Sequence, residues 1–317
     1  MKIVSSARLK DESKAQLLAD FPDIDFSFRY GMKEVGEEVQ DCEVLLTYGE
    51  DLTDEHIKEA KQLKWIMVLA AGLEKMPHEA ICERNIIVTN VRGIHAVPMG
   101  EYTLNMMLQM AKKTKTFIKN EEAVNWERSV PVFELNGLTV GILGAGAIGQ
   151  EVARLCQAFG MRTLGMNSSG NDAPFIEKMY TEDTVDALLR QSDFVVNVLP
   201  LTTKTASFMD EEKFASMKKG AYFINIGRGK TVDEHALIQA LDAGQVAGAG
   251  LDVFKEEPLD ANHPFWKHEN VTITPHISGL SSKYQRRAME IFKKNLIGYL
   301  NGRNETLINR IDLTKGY

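Results

Sequence analysis

Short apolar runs alternate with amphipathic stretches along almost the whole chain. Residues 2–5, 42–47, 65–69 and 86–89 read as strands, with a helix over 9–19 between the first two. Apolar runs of that length, set between helical patterns, predict a parallel sheet covered on both faces. A long helical segment follows over about 99–120. Met106, Met107, Leu108, Met110 and Ala111 make it apolar on more than one face, which predicts wide burial between domains or between subunits.

A second alternating series begins at Leu138. Its strands read as 139–143, 162–166, 194–199, 221–226, 247–253 and 271–274. Its helices lie near 148–159, 184–190, 213–218 and 233–243. This is a doubly wound series with the strand count of a dinucleotide fold. A last helix over about 281–300 is apolar on one side through Ala288, Ile291, Phe292, Leu296 and Leu300.

The expected fold class is therefore α/β: a Rossmann dinucleotide-binding domain inserted into a flavodoxin-like α/β substrate domain. The boundaries read 1–98 for the first part of the substrate domain, 99–282 for the NAD(P)-binding domain, and 283–317 for a helix and tail returning to the first. A length of 317 residues suits two domains better than one.

Composition narrows the classes. With 44% hydrophobic and 26% charged residues the chain is ordinary globular material. A net charge of −7 speaks against nucleic acid, whose phosphates reward clustered Lys and Arg. The pairs Arg286-Arg287 and Lys293-Lys294 fall on an amphipathic pattern and read as a solvated helix face. No window approaches the ~18 apolar residues of a membrane span. The N-terminal run from Met1 is too short for a signal peptide and reads as a first strand. Cys42, Cys82 and Cys156 are odd in number and lack metal-ligand spacing, so no metal is expected; Cys156 falls on an apolar helix face. These features point to a reduced, cytoplasmic location.

Gly144-Ala145-Gly146-Ala147-Ile148-Gly149 follows one expected strand and opens the next expected helix, the context a pyrophosphate-binding loop requires. Gly144 permits the tight turn, Gly146 lets the backbone approach the pyrophosphate, and Gly149 allows close helix–strand packing. Ala147 and Ile148 begin the helix facing that charge. An acidic residue about 20 positions further on normally takes the ribose hydroxyls of NAD. Asn167, followed by Ser168 and Ser169, stands there instead. These residues can donate to a 2′-phosphate, so the pattern favours NADP over NAD; a plain turn is the other reading.

Three residues that can do chemistry follow strands of this series. Arg228 lies in Asn225-Ile226-Gly227-Arg228-Gly229, where flanking glycines leave a planar fork suited to a carboxylate. Glu257 precedes Pro258, and His276 follows Thr274-Pro275. A His paired to a carboxylate is held in one tautomer and favours its charged form, so it can act as an acid near neutral pH. Singly, each has an ordinary structural reading. Jointly, beside a cofactor loop, they are a carboxylate clamp and a proton donor for reducing a 2-oxo acid.

These segments, with Asn197-Val198-Leu199-Pro200-Leu201-Thr202, Leu251-Asp252-Val253-Phe254 and Pro275-His276, resemble the D-isomer-specific 2-hydroxyacid dehydrogenase family over nearly the whole chain. The family includes glyoxylate, hydroxypyruvate and phosphoglycerate enzymes. The resemblance implies that His276 gives a proton to the carbonyl oxygen, Glu257 orients the imidazole, and Arg228 binds the substrate carboxylate. It implies that Asp252 holds the nicotinamide end and that Leu199, Pro200 and Thr205 line the adenosine side, with Ile226 and Gly227 also beside the cofactor. Ala71, Gly72 and Leu73, followed by Glu74, match a loop whose backbone binds the substrate carboxylate. His95 falls near the family's substrate region, with a structural role as an equal reading, and Glu101 reads as structural. A homodimer is implied.

Two departures stand out: Asn167 replaces the family's acidic residue, and the chain ends at Tyr317, which leaves no room for the regulatory C-terminal domain of some phosphoglycerate enzymes. The expected function is reduction of a small 2-oxo acid, hydroxypyruvate or glyoxylate first, by an NAD(P)-dependent dehydrogenase. A dinucleotide-sensing corepressor of the same fold is the binding-module alternative. A formate dehydrogenase is the other, and Glu257 argues against it because the His partner there is typically an amide.

Overall fold

The structure is a computed structural model describing residues 1–70, 73 and 75–312. In chain order the elements are β1 (Lys2–Ser5), α1 (Asp11–Asp20), β2 (Asp25–Phe28), α2 (Met32–Val35), β3 (Val44–Thr47), α3 (Asp54–Glu59), β4 (Trp65–Val68), α4 (His78–Glu83) and β5 (Ile87–Asn90). Then follow α5 (Ala96–Ala111), α6 (Thr114–Glu122), β6 (Thr139–Leu143), α7 (Ala147–Ala158), β7 (Arg162–Met166), β8 (Lys178–Tyr180), α8 (Val185–Leu189) and β9 (Phe194–Asn197). The chain closes with α9 (Glu211–Ser216), β10 (Ala221–Asn225), α10 (Glu234–Asp242), β11 (Val246–Leu251), β12 (Val271–Ile273) and α11 (Tyr284–Leu300). Two compact units result: one joins Met1–Ile94 to the segment beginning at Ser281, and the other is His95–Leu280.

The first unit is a five-stranded sheet in the order β2-β1-β3-β4-β5, every neighbouring pair parallel. That is the flavodoxin-like order. β3 and β4 are buried along their whole length, which explains why every residue but Thr47 is apolar: a parallel strand covered on both faces has no polar side to present. One face carries Leu45, Ile66 and Val88 with Ile57 and Ile81. The other carries Val44, Trp65 and Met67 with Ala288, Phe292 and Leu296 of α11. Trp65 stacks on Phe292 at 5.6 Å, and its indole N–H donates to Thr89 Oγ1 at 2.9 Å.

The second unit is a seven-stranded parallel sheet, β12-β11-β10-β9-β6-β7-β8. Strand order reverses beside β6, between β9 and β7, and the carboxyl ends of strands at such a reversal are where dinucleotides bind in this class of sheet. β6 is buried at all five positions. One face is filled by Leu143, Val195, Phe223 and Leu237, the other by Val152, Cys156, Ile142 and Val196 together with Met99, Met106 and Met107 of α5.

The single helix expected over 99–120 is two helices. α5 ends beside Lys113, whose φ of 53° is left-handed, and α6 restarts at Thr114. The Lys113 side chain is occupied nearby: its Nζ donates to Tyr222 Oη at 3.1 Å and lies 5.5 Å from the ring centre. α6 buries no residue in this chain. Strands β2 and β8, and helices α2, α3 and α4, were not foreseen in the sequence pattern. Among the described residues no helix is long and apolar enough to cross a membrane.

Candidate active site

The loop after β6 brings the glycines together for three separate reasons. Gly144 has φ +105°, a conformation that L side chains rarely adopt, and a Cβ there would meet the backbone of Val198 at 3.1 Å. A Cβ on Gly149 would collide with the carbonyl oxygen of Gly144, so the helix can pack this tightly only without a side chain. Gly146 is the N-cap of α7 and faces open space: a Cβ would meet nothing within 4 Å. No side chain caps α7. Uncapped N–H groups at the positive end of a twelve-residue helix, beside a glycine with space in front of it, fit a pyrophosphate. Ala147 is exposed and Ile148 half-buried at that helix start.

The loop after β9 lies against this one, and the loop after β10 lies against the loop after β9. Leu199 is buried in the core, and a Cβ on Gly227 would lie 2.7 Å from its carbonyl oxygen. Ile226 is likewise buried, so Leu199 and Ile226 present backbone rather than side chain at this edge. Pro200 is exposed, and its carbonyl accepts from Thr205 Oγ1 at 2.5 Å; Thr205 Oγ1 in turn accepts from Thr202 N–H at 2.8 Å. The Thr205 hydroxyl thus closes its own loop.

Beneath these loops lies a buried polar hub. Asn197 and Asn225 end adjacent strands in register, and Asn197 Nδ2 donates to Asn225 Oδ1 at 3.0 Å and to Thr231 Oγ1 at 2.7 Å. Asn197 Oδ1 accepts from Leu199 N–H at 3.2 Å, and Asn225 Oδ1 from Gly227 N–H at 3.1 Å. Thr231 Oγ1 donates to the Arg228 carbonyl at 2.6 Å. The three side chains are essentially inaccessible, so each must be paired, and the pairing fixes the backbone of both loops. Arg228 itself is exposed, with Nη1 donating to the Gly227 carbonyl at 2.8 Å. Gly229 is required by packing: a Cβ there would run into the Phe254 backbone.

His276 and Glu257 meet. His276 Nδ1 lies 2.8 Å from Glu257 Oε2, and Glu257 Oε1 accepts from Phe254 N–H at 3.0 Å. A carboxylate only accepts, so Nδ1 carries the hydrogen and Nε2 is the ring nitrogen left to exchange a proton. The His276 side chain is about half exposed and that of Glu257 about one-third.

Asp252 is fully buried. Its Oδ1 accepts from Thr274 Oγ1 at 2.6 Å and Ile277 N–H at 2.8 Å, and its Oδ2 from Ser278 N–H at 2.8 Å. Its carboxylate therefore serves the turn that bears His276.

Asn167 also works within its own loop. Its Oδ1 accepts from Ser169 N–H at 3.1 Å, Gly170 N–H at 2.6 Å and Ser169 Oγ at 3.2 Å, while Nδ2 donates to the Asn171 carbonyl at 2.9 Å. This is an Asx-type turn, and the Asn-Ser-Ser-Gly order was its sequence signal. Ser168 is exposed.

His95 Nδ1 lies 3.3 Å from the Gly279 carbonyl. Burial holds the imidazole below its ordinary titration range; the Gly279 carbonyl opposes this and the Arg228 charge adds to it. Glu101 is exposed on α5. In the first unit Leu73 packs into the core, and its carbonyl accepts from Met76 N–H at 3.0 Å and His78 Nε2 at 2.9 Å. Ala71, Gly72 and Glu74 lie outside the described residues.

Sequence reasoning missed Asn197, Asn225, Thr231, Tyr102 and Thr274 as supports. Asn197 and Asn225 carried a usable signal: a polar residue closing an otherwise apolar buried strand.

The sheet order and the glycine loop define a dinucleotide-binding α/β protein. Residues 104–278 match the family described as D-isomer specific 2-hydroxyacid dehydrogenase, NAD binding domain. The chain belongs to that family, and it is an NAD(P)-dependent oxidoreductase acting on the CH–OH group of a hydroxyacid. Among its relatives, a glyoxylate reductase of Pyrococcus horikoshii is 34% identical over 284 residues, 86% of this chain and 85% of that one. A D-isomer specific 2-hydroxyacid dehydrogenase family protein from Aeromonas salmonicida has a crystal structure with TM-score 0.85 and 29% identity, covering 98% of this chain and 99% of its own. A D-isomer specific 2-hydroxyacid dehydrogenase from Xanthobacter autotrophicus, crystallised with NADPH and MES, gives TM-score 0.80 at 26% identity, covering 100% and 99%.

Proposed function

We propose that this dehydrogenase reduces a small 2-oxo acid, glyoxylate or hydroxypyruvate first, to the D-2-hydroxy acid, with NADPH preferred to NADH. The observation that carries the reading is the 2.8 Å pair of His276 Nδ1 and Glu257 Oε2, which leaves Nε2 to exchange a proton. The name of the Pyrococcus horikoshii relative, glyoxylate reductase, supports the choice of first substrate.

The glycine loop and the start of α7 would hold the pyrophosphate of the cofactor, and a nicotinamide bound there supplies hydride. His276 Nε2 hands its proton to the substrate's carbonyl oxygen. Glu257 keeps the imidazole in the Nδ1–H tautomer and balances the charge it carries before transfer. Arg228 pairs with the substrate carboxylate through a planar fork and polarises the adjacent carbonyl.

The preference for NADPH rests on the loop after β7. Its first residue is Asn167, so no carboxylate stands there to repel a 2′-phosphate, and Ser168 presents an exposed hydroxyl. The bound NADPH of the Xanthobacter autotrophicus relative agrees with this choice. A homodimer is part of the proposal; exposed Phe117, Ile118, Val124 and Trp126 support it, and light scattering on the purified protein checks it. The deciding experiment measures kcat/KM for glyoxylate, hydroxypyruvate and branched 2-oxo acids with NADPH and NADH. No oxidation of either cofactor with any of them would overturn the reading, and a higher kcat/KM with NADH would overturn the cofactor preference.

A further inference from the structure

The turn that carries His276 is tied to a residue far away in sequence. Tyr102 Oη, on α5, lies 2.5 Å from Thr274 Oγ1. Thr274 Oγ1 donates its only proton to Asp252 Oδ1 at 2.6 Å, because a carboxylate accepts and does not donate. The Thr274 oxygen must therefore accept from the Tyr102 hydroxyl. The direction of the chain is fixed: phenol to hydroxyl to carboxylate, and from the carboxylate to the N–H groups of Ile277 and Ser278. We propose that Tyr102 and Thr274 are positioning residues for His276, acting through Asp252 on the backbone of residues 274–278. The inference rests on the reading of His276 as the proton donor.

Three observations support it. His276 has φ +54°, a left-handed conformation that a residue other than glycine keeps only where its surroundings impose it. The imposition is visible: His276 N–H donates to the Asp252 carbonyl at 2.8 Å, and the next two N–H groups donate to the Asp252 carboxylate. Secondly, Oδ1 receives the Thr274 hydroxyl and the Ile277 N–H together, so the carboxylate cannot rotate without losing a bond inside a fully buried site. Thirdly, Tyr102 stands on a rigid helix whose neighbours Met99, Thr103 and Met106 are buried. Burial also raises the phenol's titration range, so it remains a donor throughout neutral pH.

The test uses Tyr102→Phe, Thr274→Val and Thr274→Ser in the full-length enzyme, with His276→Ala alongside. Steady-state kcat, both KM values and Tm are read for each. Tyr102→Phe and Thr274→Val are expected to lower kcat about tenfold or more, since small misplacements of a reacting group cost this much. The KM for the nicotinamide cofactor stays within about twofold, because the glycine loop is untouched. Thr274→Ser keeps the hydroxyl and returns kcat to within about twofold of the parent. A purely structural role would lower Tm and leave kcat per folded enzyme unchanged, and that result in Tyr102→Phe overturns the inference. If His276→Ala keeps its activity, the reading of His276 itself is lost. If His276→Ala is inactive while Tyr102→Phe and Thr274→Val keep the parent kcat, only the positioning role is lost.

Discussion

His276 Nδ1 lies 2.8 Å from Glu257 Oε2, and the second oxygen of that carboxylate is fixed by Phe254 N–H. The imidazole is thus oriented by a group that is itself oriented. Glu257→Gln keeps the shape and removes the charge. A hydrogen bond to a charged group contributes roughly 1.5–3 kcal/mol, so kcat for reduction should fall about 10–100-fold. His276→Ala should lower it about 10²–10⁴-fold while cofactor affinity, read by fluorescence titration, changes little. Loss of cofactor affinity as the main effect of either variant would remove the proton-donor assignment.

Arg228 owes its place to the Asn197–Asn225–Thr231 hub. Arg228→Ala should raise KM for the 2-oxo acid and lower kcat together, a combined loss of about 10²-fold or more in kcat/KM, since a bidentate charge-assisted contact disappears. Arg228→Lys should recover only part, because an ammonium cannot reproduce the planar fork. Unchanged kcat and KM in Arg228→Ala would exclude the clamp.

The loop after β7 offers a test of cofactor choice. Asn167→Asp retains the oxygen that holds Ser169 and Gly170 and adds a negative charge where a 2′-phosphate would lie. The ratio of kcat/KM for NADPH over NADH should fall about tenfold or more, roughly 1.4 kcal/mol. A ratio that does not move would mean that this position does not read the phosphate.

Stability should depend on pH through His95. Its imidazole is held below the ordinary value of 6.5, first by burial. As pH falls through 6.5 the unfolded chain takes up a proton that the folded protein resists, so this group's effect is destabilising towards acid and absent well above 6.5. Calorimetry should show Tm falling from pH 7.5 to 5.5, with a shallower fall in His95→Asn. An identical slope in the variant would place the effect elsewhere.

Gly229 is set by contact with the Phe254 backbone. Gly229→Ala should lower Tm, since overpacking of this kind costs about 1–3 kcal/mol or more, and should lower activity by shifting the adjoining Arg228. A variant with parental Tm and kcat would show that the two segments can separate freely.

Much of this was legible in the chain. β6 and β7 fall at the bounds their sequences suggest because short, largely buried runs between a helical pattern and a glycine or turn signal have no competing period. β2 and β8 escaped because one is a partly exposed edge with polar positions and the other is three residues long. The break between α5 and α6 escaped because a lysine in the left-handed region leaves no compositional mark. Arg228, Glu257 and His276 stood out as chemistry-bearing residues after strands. The supports did not, since the bond from Tyr102 to Thr274 joins residues 172 positions apart. The turn at Asn167 has a signal in its Asn-Ser-Ser-Gly order, whereas the bonds from the Asp252 carboxylate to the N–H groups of Ile277 and Ser278 cross some 25 positions and leave none.

The close approach of Gly144 to Val198 and of Gly227 to Leu199, with the Asn hub beneath, has a consequence for redesign. Three loops from three separate stretches of chain lie in series, the middle one close to both of the others, and two of them share one set of buried amides. Transplanting any one of them from a relative to change substrate preference would bring new spacing against at least one old neighbour. The graft with the best prospect carries residues 144–149, 197–205 and 225–231 together, as a cassette.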